Sequence, residues 1–116
     1  MNHLQFLLLK LSEECNEIGK VASTSIQLGL LNYNPEIDAS NKKCLHLKLD
    51  MLNAIVHMLN QQYQFEYIPD CGEMNKVEVK IKKDLNHSIG LGLVDMNVPD
   101  KHWHKRLQLD DSKVVI

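Results

Sequence analysis

Apolar residues recur at Leu4, Leu8, Leu11, Cys15, Ile18, Ala22 and Ile26. Steps of three and four sustained over about six turns mark an amphipathic helix. Asn2 is placed to cap its start and Gly29 to stop it. Residues 30–40, with Asn-Tyr-Asn-Pro-Glu, read as a loop. A second helix is expected from Ser40 or Asn41, with Leu45, Leu49, Leu52, Val56, Leu59 and Tyr63 on its apolar stripe. The pattern breaks over residues 67–72, where Pro69 and Gly72 mark a turn. A third helix is expected over residues 73–90, with Met74, Val77, Ile81, Leu85 and Ile89 inward. Val79 falls off that stripe, and Val-Glu-Val-Lys-Ile also alternates as a strand would. Helix is preferred because the 3.6-residue period continues through Leu85. Beyond Gly90 and Gly92 no period holds, and residues 93–116 read as an irregular tail carrying Pro99 and the Asp110-Asp111 pair.

Helices of this length in so short a chain cannot all bury their stripes alone. The expected fold is therefore all-α. An antiparallel hairpin plus a third helix occupies residues 1–92, and the bundle is completed by oligomerisation. The size agrees: 116 residues fit one domain. Such a chain buries roughly two-thirds of its unfolded surface. With 44% hydrophobic and 24% charged residues, the composition is that of a globular chain, which argues against global disorder.

The formal charge of −2 disfavours nucleic-acid binding through bulk positive charge. Cys15, Cys44 and Cys71 are odd in number and show no metal-finger spacing, which fits a reducing compartment. The apolar run Phe6–Leu9 is interrupted by Lys10 and the Glu13-Glu14 pair, so neither a signal peptide nor a membrane span is expected. A cytoplasmic protein is the expectation.

The sharpest candidate chemistry is Glu13-Glu14-Cys15-Asn16-Glu17 in the first helix. Glu14 and Glu17 lie about 60° apart on one face beside the apolar stripe. Carboxylates so placed repel unless a cation sits between them, and Mg²⁺ takes such oxygens. The same residues also read as a solvated face with Lys10 and Lys20. On the second helix His46, Asp50, Asn53 and His57 form a polar stripe, from which Asp50 and Asn53 offer oxygens to Glu14 and Glu17 if the helices pack antiparallel. An exposed polar edge is the alternative. Lys76, Lys80, Lys83 and His87 share a face of the third helix and suit phosphates, or simply face water among Glu73, Glu78 and Asp84. His102-Trp103-His104 offers too few ligands for a metal, and Trp103 is expected to pack. A glycine-rich phosphate loop, GxSxG and HExxH are all missing from the sequence.

The first helix, from Leu-Ser-Glu-Glu-Cys-Asn-Glu-Ile-Gly-Lys onward, resembles that of the small MazG-like, all-α nucleoside triphosphate pyrophosphohydrolases, phage-encoded members especially. The resemblance extends through Leu45-x-x-x-Leu49-x-x-Leu52 and Ala-Ile-Val-x-Met-Leu of the second helix to the lysines and Ser88-Ile89-Gly90 of the third, over residues 2–92. The family carries EExxE on one helix and ExxD on the next. The resemblance implies hydrolysis of a nucleoside triphosphate to monophosphate and pyrophosphate. It also implies Mg²⁺ held by acidic side chains, and a homodimer or homotetramer in the cytoplasm, which for a phage protein is the host's. Glu13, Glu14 and Glu17 match EExxE; Glu14, Glu17 and Asp50 would hold the metal. Lys48, Asn53, Lys76, Lys80 and Lys83 would contact the nucleotide.

The second motif departs from the family. Without gaps, ExxD falls on Lys48 and Met51; shifted by one residue, it falls on Leu47 and Asp50. The Glu is missing either way. Three functions stay open: an Mg²⁺-dependent pyrophosphohydrolase, an inactive relative that binds or sequesters a nucleotide signal (as a phage counter-defence protein would), and a helical interaction protein. Asp50 facing Glu14 and Glu17 favours the enzyme, and Lys48 in that place favours the binder.

Overall fold

The computed structural model describes residues 1–96. The rest of the expected tail, with His102, Trp103 and His104, lies outside the described residues. Two compact units are present, Met1–Ile68 and a second that begins at Pro69.

The first unit contains α1 (His3–Leu28), a minimal β-hairpin of β1 (Tyr33–Asn34) and β2 (Ala39–Ser40), and α2 (Asn41–Tyr63). Asn2 caps α1 as expected. Its Oδ1 accepts the Gln5 amide at 2.8 Å, and Gln5 Oε1 accepts the Asn2 amide at 2.9 Å, so two otherwise orphaned donors are satisfied. Gly29 ends the helix at φ 102, where its N–H donates to Ser25 O at 2.9 Å.

α1 and α2 pack antiparallel. His3 meets Tyr63 at one end of the pair, Glu14 meets Lys48 midway, and Gly29 meets Asn41 at the other end. The seam is narrower than the apolar stripe and rotated from it. Its buried positions on α1 are Leu7, Glu14 and Val21, with Leu4, Leu11, Ile18 and Ser25 half-buried between them. On α2 it runs through Asn41, Cys44, Lys48, Leu52, Ile55, Leu59 and Tyr63. Spacing of three and four is that of a coiled-coil seam.

The expected inward set is therefore corrected. Leu8 is 43% exposed, Ile26 85% and Leu49 45%, and Cys15 is exposed too. These residues lie beside the seam, on one side of the hairpin. A period-3.6 reading follows hydrophobicity; a two-helix contact buries only the strip facing the partner helix. Here Glu14 and Lys48 occupy two seam positions, which a search for apolar residues passes over.

Residues 30–40 are more ordered than a plain loop. Tyr33 pairs with Ser40 and Asn34 with Ala39, antiparallel. Asn41, 1% exposed, ties the turn to both helices. Its Nδ2 donates to Gly29 O at 2.9 Å, its Oδ1 accepts from Asn34 Nδ2 at 3.3 Å, and its backbone N–H donates to Asn32 O at 2.9 Å. Ser40 caps α2 by accepting the Lys43 amide at 3.1 Å. After Gln64, at φ 51, the Asn60 amide bonds both backbone groups of Tyr67 at 2.9 Å and secures the exit of α2.

The second unit contains α3 (Cys71–Gly90), capped by Asp70 Oδ1 on the Glu73 amide at 3.0 Å. Val77–Ile81 is helical, as the continued period requires. No α3 residue is buried, and the expected inward residues Met74, Val77 and Ile81 are 52%, 53% and 59% exposed. The architecture is all-α apart from the two-residue strands. Among the described residues no helix is long and apolar enough to cross a membrane.

Candidate functional site

The Glu14–Lys48 pair lies at the centre of the first unit. Glu14 is 6% exposed because its position on α1 faces α2. Its Oε1 is covered and has no hydrogen-bond partner. The Lys48 ammonium stands 3.9 Å from that oxygen, close enough to neutralise it and too far to donate to it. A buried carboxylate oxygen without a donor is costly, so its persistence in the seam calls for a reason.

Two grooves adjoin this pair. The carboxylate groove, of about 500 Å³, has Lys10, Glu13, Glu14 and Glu17 of α1 on one wall and Met51, Ala54 and Ile55 of α2 on the other. Lys10 donates to Glu13 at 3.2 Å and lies over the Phe6 ring. The loop groove, of about 360 Å³, opens where the β-hairpin folds over the helix ends. Lys20 and Lys48 bring two positive charges and Glu17 and Glu36 two negative ones, and Val21, Leu28, Ile37 and Cys44 give it an apolar lining. Glu17 borders both grooves.

The sequence-derived candidates separate accordingly. Glu13, Glu14 and Glu17 come together, and Lys48 faces Glu14. Met51, the other ungapped motif position, lines the carboxylate groove. Asp50 and Asn53 are exposed and border neither groove. Two residues on from Lys48, Asp50 is turned about 200° around the helix, away from α1. Antiparallel packing, on which their participation depended, is present; the rotation of α2 about its own axis is what takes them away. Lys76, Lys80 and Lys83 are exposed on α3, and Lys76 pairs with Glu73 at 3.3 Å.

Mg²⁺ does not fit this donor set well. A hard cation takes six or more oxygens arranged around it. The carboxylate groove offers oxygens from α1 only, against a thioether and aliphatic groups, with an ammonium alongside. Among the described residues no three His, Cys, Asp or Glu are grouped to hold a metal ion.

The loop groove was not visible in the sequence as a site. Its signals were Asn34 and Asn41, amides flanking a short turn, and Tyr33, whose hydroxyl donates to Asp38. That bond, with a little burial, raises the Tyr33 phenol above its ordinary range, because phenolate beside the Asp38 carboxylate loses the bond and gains repulsion.

No protein-family model matches the chain, and neither a curated protein nor a solved structure does.

Proposed function

We propose that this chain is a MazG-like helical protein that binds a nucleotide without hydrolysing it. The supporting observation is the Glu14–Lys48 pair. Lys48 takes the place where the family's ExxD glutamate falls in the ungapped reading, and its ammonium lies 3.9 Å from Glu14. An ammonium there repels a metal ion and attracts a phosphate. Met51 takes the place of the motif's aspartate and brings a thioether to the same groove. In the loop groove Lys20 and Lys48 are the groups that would meet the phosphates, beside the carboxylates of Glu17 and Glu36; Asn34 supplies a neutral donor, and the volume lies in the range of small-ligand sites. The proposal draws only on residues of the first unit.

Assembly into a dimer or larger oligomer belongs to the same proposal. Leu8, Cys15, Ile26 and Leu49 leave an apolar strip on one side of the hairpin, and a second copy could cover it.

The test is incubation with a panel of nucleoside triphosphates and cyclic nucleotides, in Mg²⁺ and in EDTA, with products and protein-bound ligand measured together. Intact nucleotide retained in EDTA is the expected result. Lys48→Glu is expected to weaken that metal-free affinity at least tenfold; unchanged affinity removes Lys48 from the site. Hydrolysis is the second reading, favoured by the gathering of Glu13, Glu14 and Glu17 on one groove. Monophosphate and pyrophosphate appearing only with Mg²⁺, and lost in Glu14→Gln, would establish it in place of the binder.

A further inference from the structure

α3 carries an apolar face that is open among the described residues. Counting about 100° per residue, Met74, Val77, Ile81 and Leu85 fall within about 80° of arc. The first three are 52%, 53% and 59% exposed, and Leu85 is half-buried. A helix of 20 residues standing alone is marginal in water, and helices in proteins take most of their stability from packing an apolar face. Val77, Val79 and Ile81 are β-branched and lower the intrinsic propensity of α3 further. The stripe therefore calls for a partner.

The charges beside the stripe indicate what that partner is. Measured from Ile81, Glu78 and Lys82 lie about 60° and 100° round on one side, and Asp84 and Glu73 about 60° and 80° round on the other. Glu78 precedes Lys82 by four residues, the favoured order for a pair within one helix. Even so, among the described residues the two form no ion pair with each other, whereas Glu73 and Lys76 do, at 3.3 Å. A two-fold axis across the helix near Val79 and Lys80 makes this pattern its own complement. Two antiparallel copies of α3 related by that axis bring like flanks together. Met74 then comes level with the partner's Leu85, and Val77 with the partner's Ile81. Glu78 comes level with the partner's Lys82, twice by symmetry. On the other flank Lys76 comes level with the partner's Asp84.

We propose that α3 is a self-association helix, paired antiparallel with α3 of a second copy of this chain. Met74, Val77, Ile81 and Leu85 form the contact, and Glu78 and Lys82 set its direction and register. This interface involves only the second unit and does not depend on the nucleotide reading.

Sedimentation velocity of the full chain over a concentration series tests this, with Glu78→Lys and Lys82→Glu run separately and mixed. About 0.15 M salt screens charges more than about 8 Å apart, so the readout is local. Both positions are exposed, and neither change disturbs a buried contact. Each variant alone turns two attractive contacts into two repulsive ones. It should self-associate about tenfold more weakly than the original chain. An equimolar mixture sets the lysine-rich flank of one variant against the glutamate-rich flank of the other, and should associate nearly as tightly as the original. Mixing cannot restore a pair within one helix, so recovery reports contact between copies. The hairpin strip is the same in every combination, so the differences come from α3. An original chain that stays monomeric at every concentration overturns the proposal, and so does equal association in all combinations. A mixture as weak as its components overturns it too. Tighter association in Glu78→Lys alone would set Glu78 beside Glu73 and Asp84, as a parallel pair does, and replaces the antiparallel arrangement.

Discussion

Replacing Lys48 with methionine removes the cation paired with a covered carboxylate and keeps the volume of the seam nearly constant. Glu14 is 6% exposed and its Oε1 has no hydrogen bond, so water cannot take over from the ammonium without opening the seam. At 3.9 Å, two unit charges interact by about 4 kcal/mol at an effective dielectric of 20. The Lys48 side chain is 24% exposed and gains hydration when released, so the net loss is smaller than that. A loss of about 2 to 3 kcal/mol is expected, against the 3–5 measured for fully buried pairs.

The second arm is Glu14→Leu together with Lys48→Met. It makes the seam apolar from Leu7 to Val21 and removes both the desolvated charge and its partner. This double variant should be at least as stable as the original chain, since well-packed apolar residues match or exceed a buried pair. Urea denaturation followed by helical circular dichroism, at one protein concentration, gives the midpoint and slope for each chain. A Lys48→Met midpoint equal to the original would refute the reasoning, because Glu14 would then be solvated by some other route. A double variant less stable than Lys48→Met would refute it too.

Other features make separate predictions. Asn41→Ala deletes a 1%-exposed amide that joins Gly29 to Asn34. It should cost about 2 kcal/mol and lower the thermal midpoint by several degrees, whereas an unchanged melt would assign the turn's order to β1 and β2 alone. In a chain whose other tyrosines are phenylalanine, the phenolate absorbance of Tyr33 should develop above the ordinary phenol pH. Asp38→Asn should bring it back down. The sign follows from the raised folded value: the bond's contribution is full below the unfolded pKa and is lost as pH rises through the folded one. Leu49→Lys, at a 45%-exposed position on the apolar strip, should reduce the mass seen by sedimentation velocity; an unchanged oligomer would move the interface elsewhere.

The sequence disclosed the helices well because their signals are local. Asn2 and Gly29 act within a turn of their own position, and the 3.6-residue period of α3 outweighed the short alternation at Val77. Rotation of each helix about its axis was less legible. Leu8, Ile26 and Leu49 are as apolar as Leu7 or Leu59, and only the partner helix decides which are covered. The acidic half of the site could be read from Glu13, Glu14 and Glu17. The opposing half could not, since whether Lys48 or Asp50 meets Glu14 depends on that same rotation. The loop groove was hidden for another reason. Two-residue strands carry no periodicity, and Asn41 becomes a clamp only when Gly29 and Asn34 approach it from elsewhere in the chain.

A charge swap separates what the pair does for the fold from what it does for a ligand. Glu14 borders the carboxylate groove, and Lys48 borders the loop groove. Glu14→Lys alone sets two ammonium groups at the seam, and Lys48→Glu alone sets two carboxylates there. Each should destabilise the hairpin by about 2 kcal/mol or more, because like charges then face each other where Glu14 is almost fully covered. Combining them restores opposite charges at the same separation and should recover most of that stability in the urea melt. The grooves, however, have now exchanged signs. The loop groove has lost the Lys48 ammonium and gained a carboxylate, and the carboxylate groove has gained a cation. Nucleotide affinity should therefore stay at least tenfold below the original while stability returns. Recovery of both together would make the pair structural only and would place ligand binding elsewhere. Recovery of neither would mean that the seam tolerates one orientation of the pair.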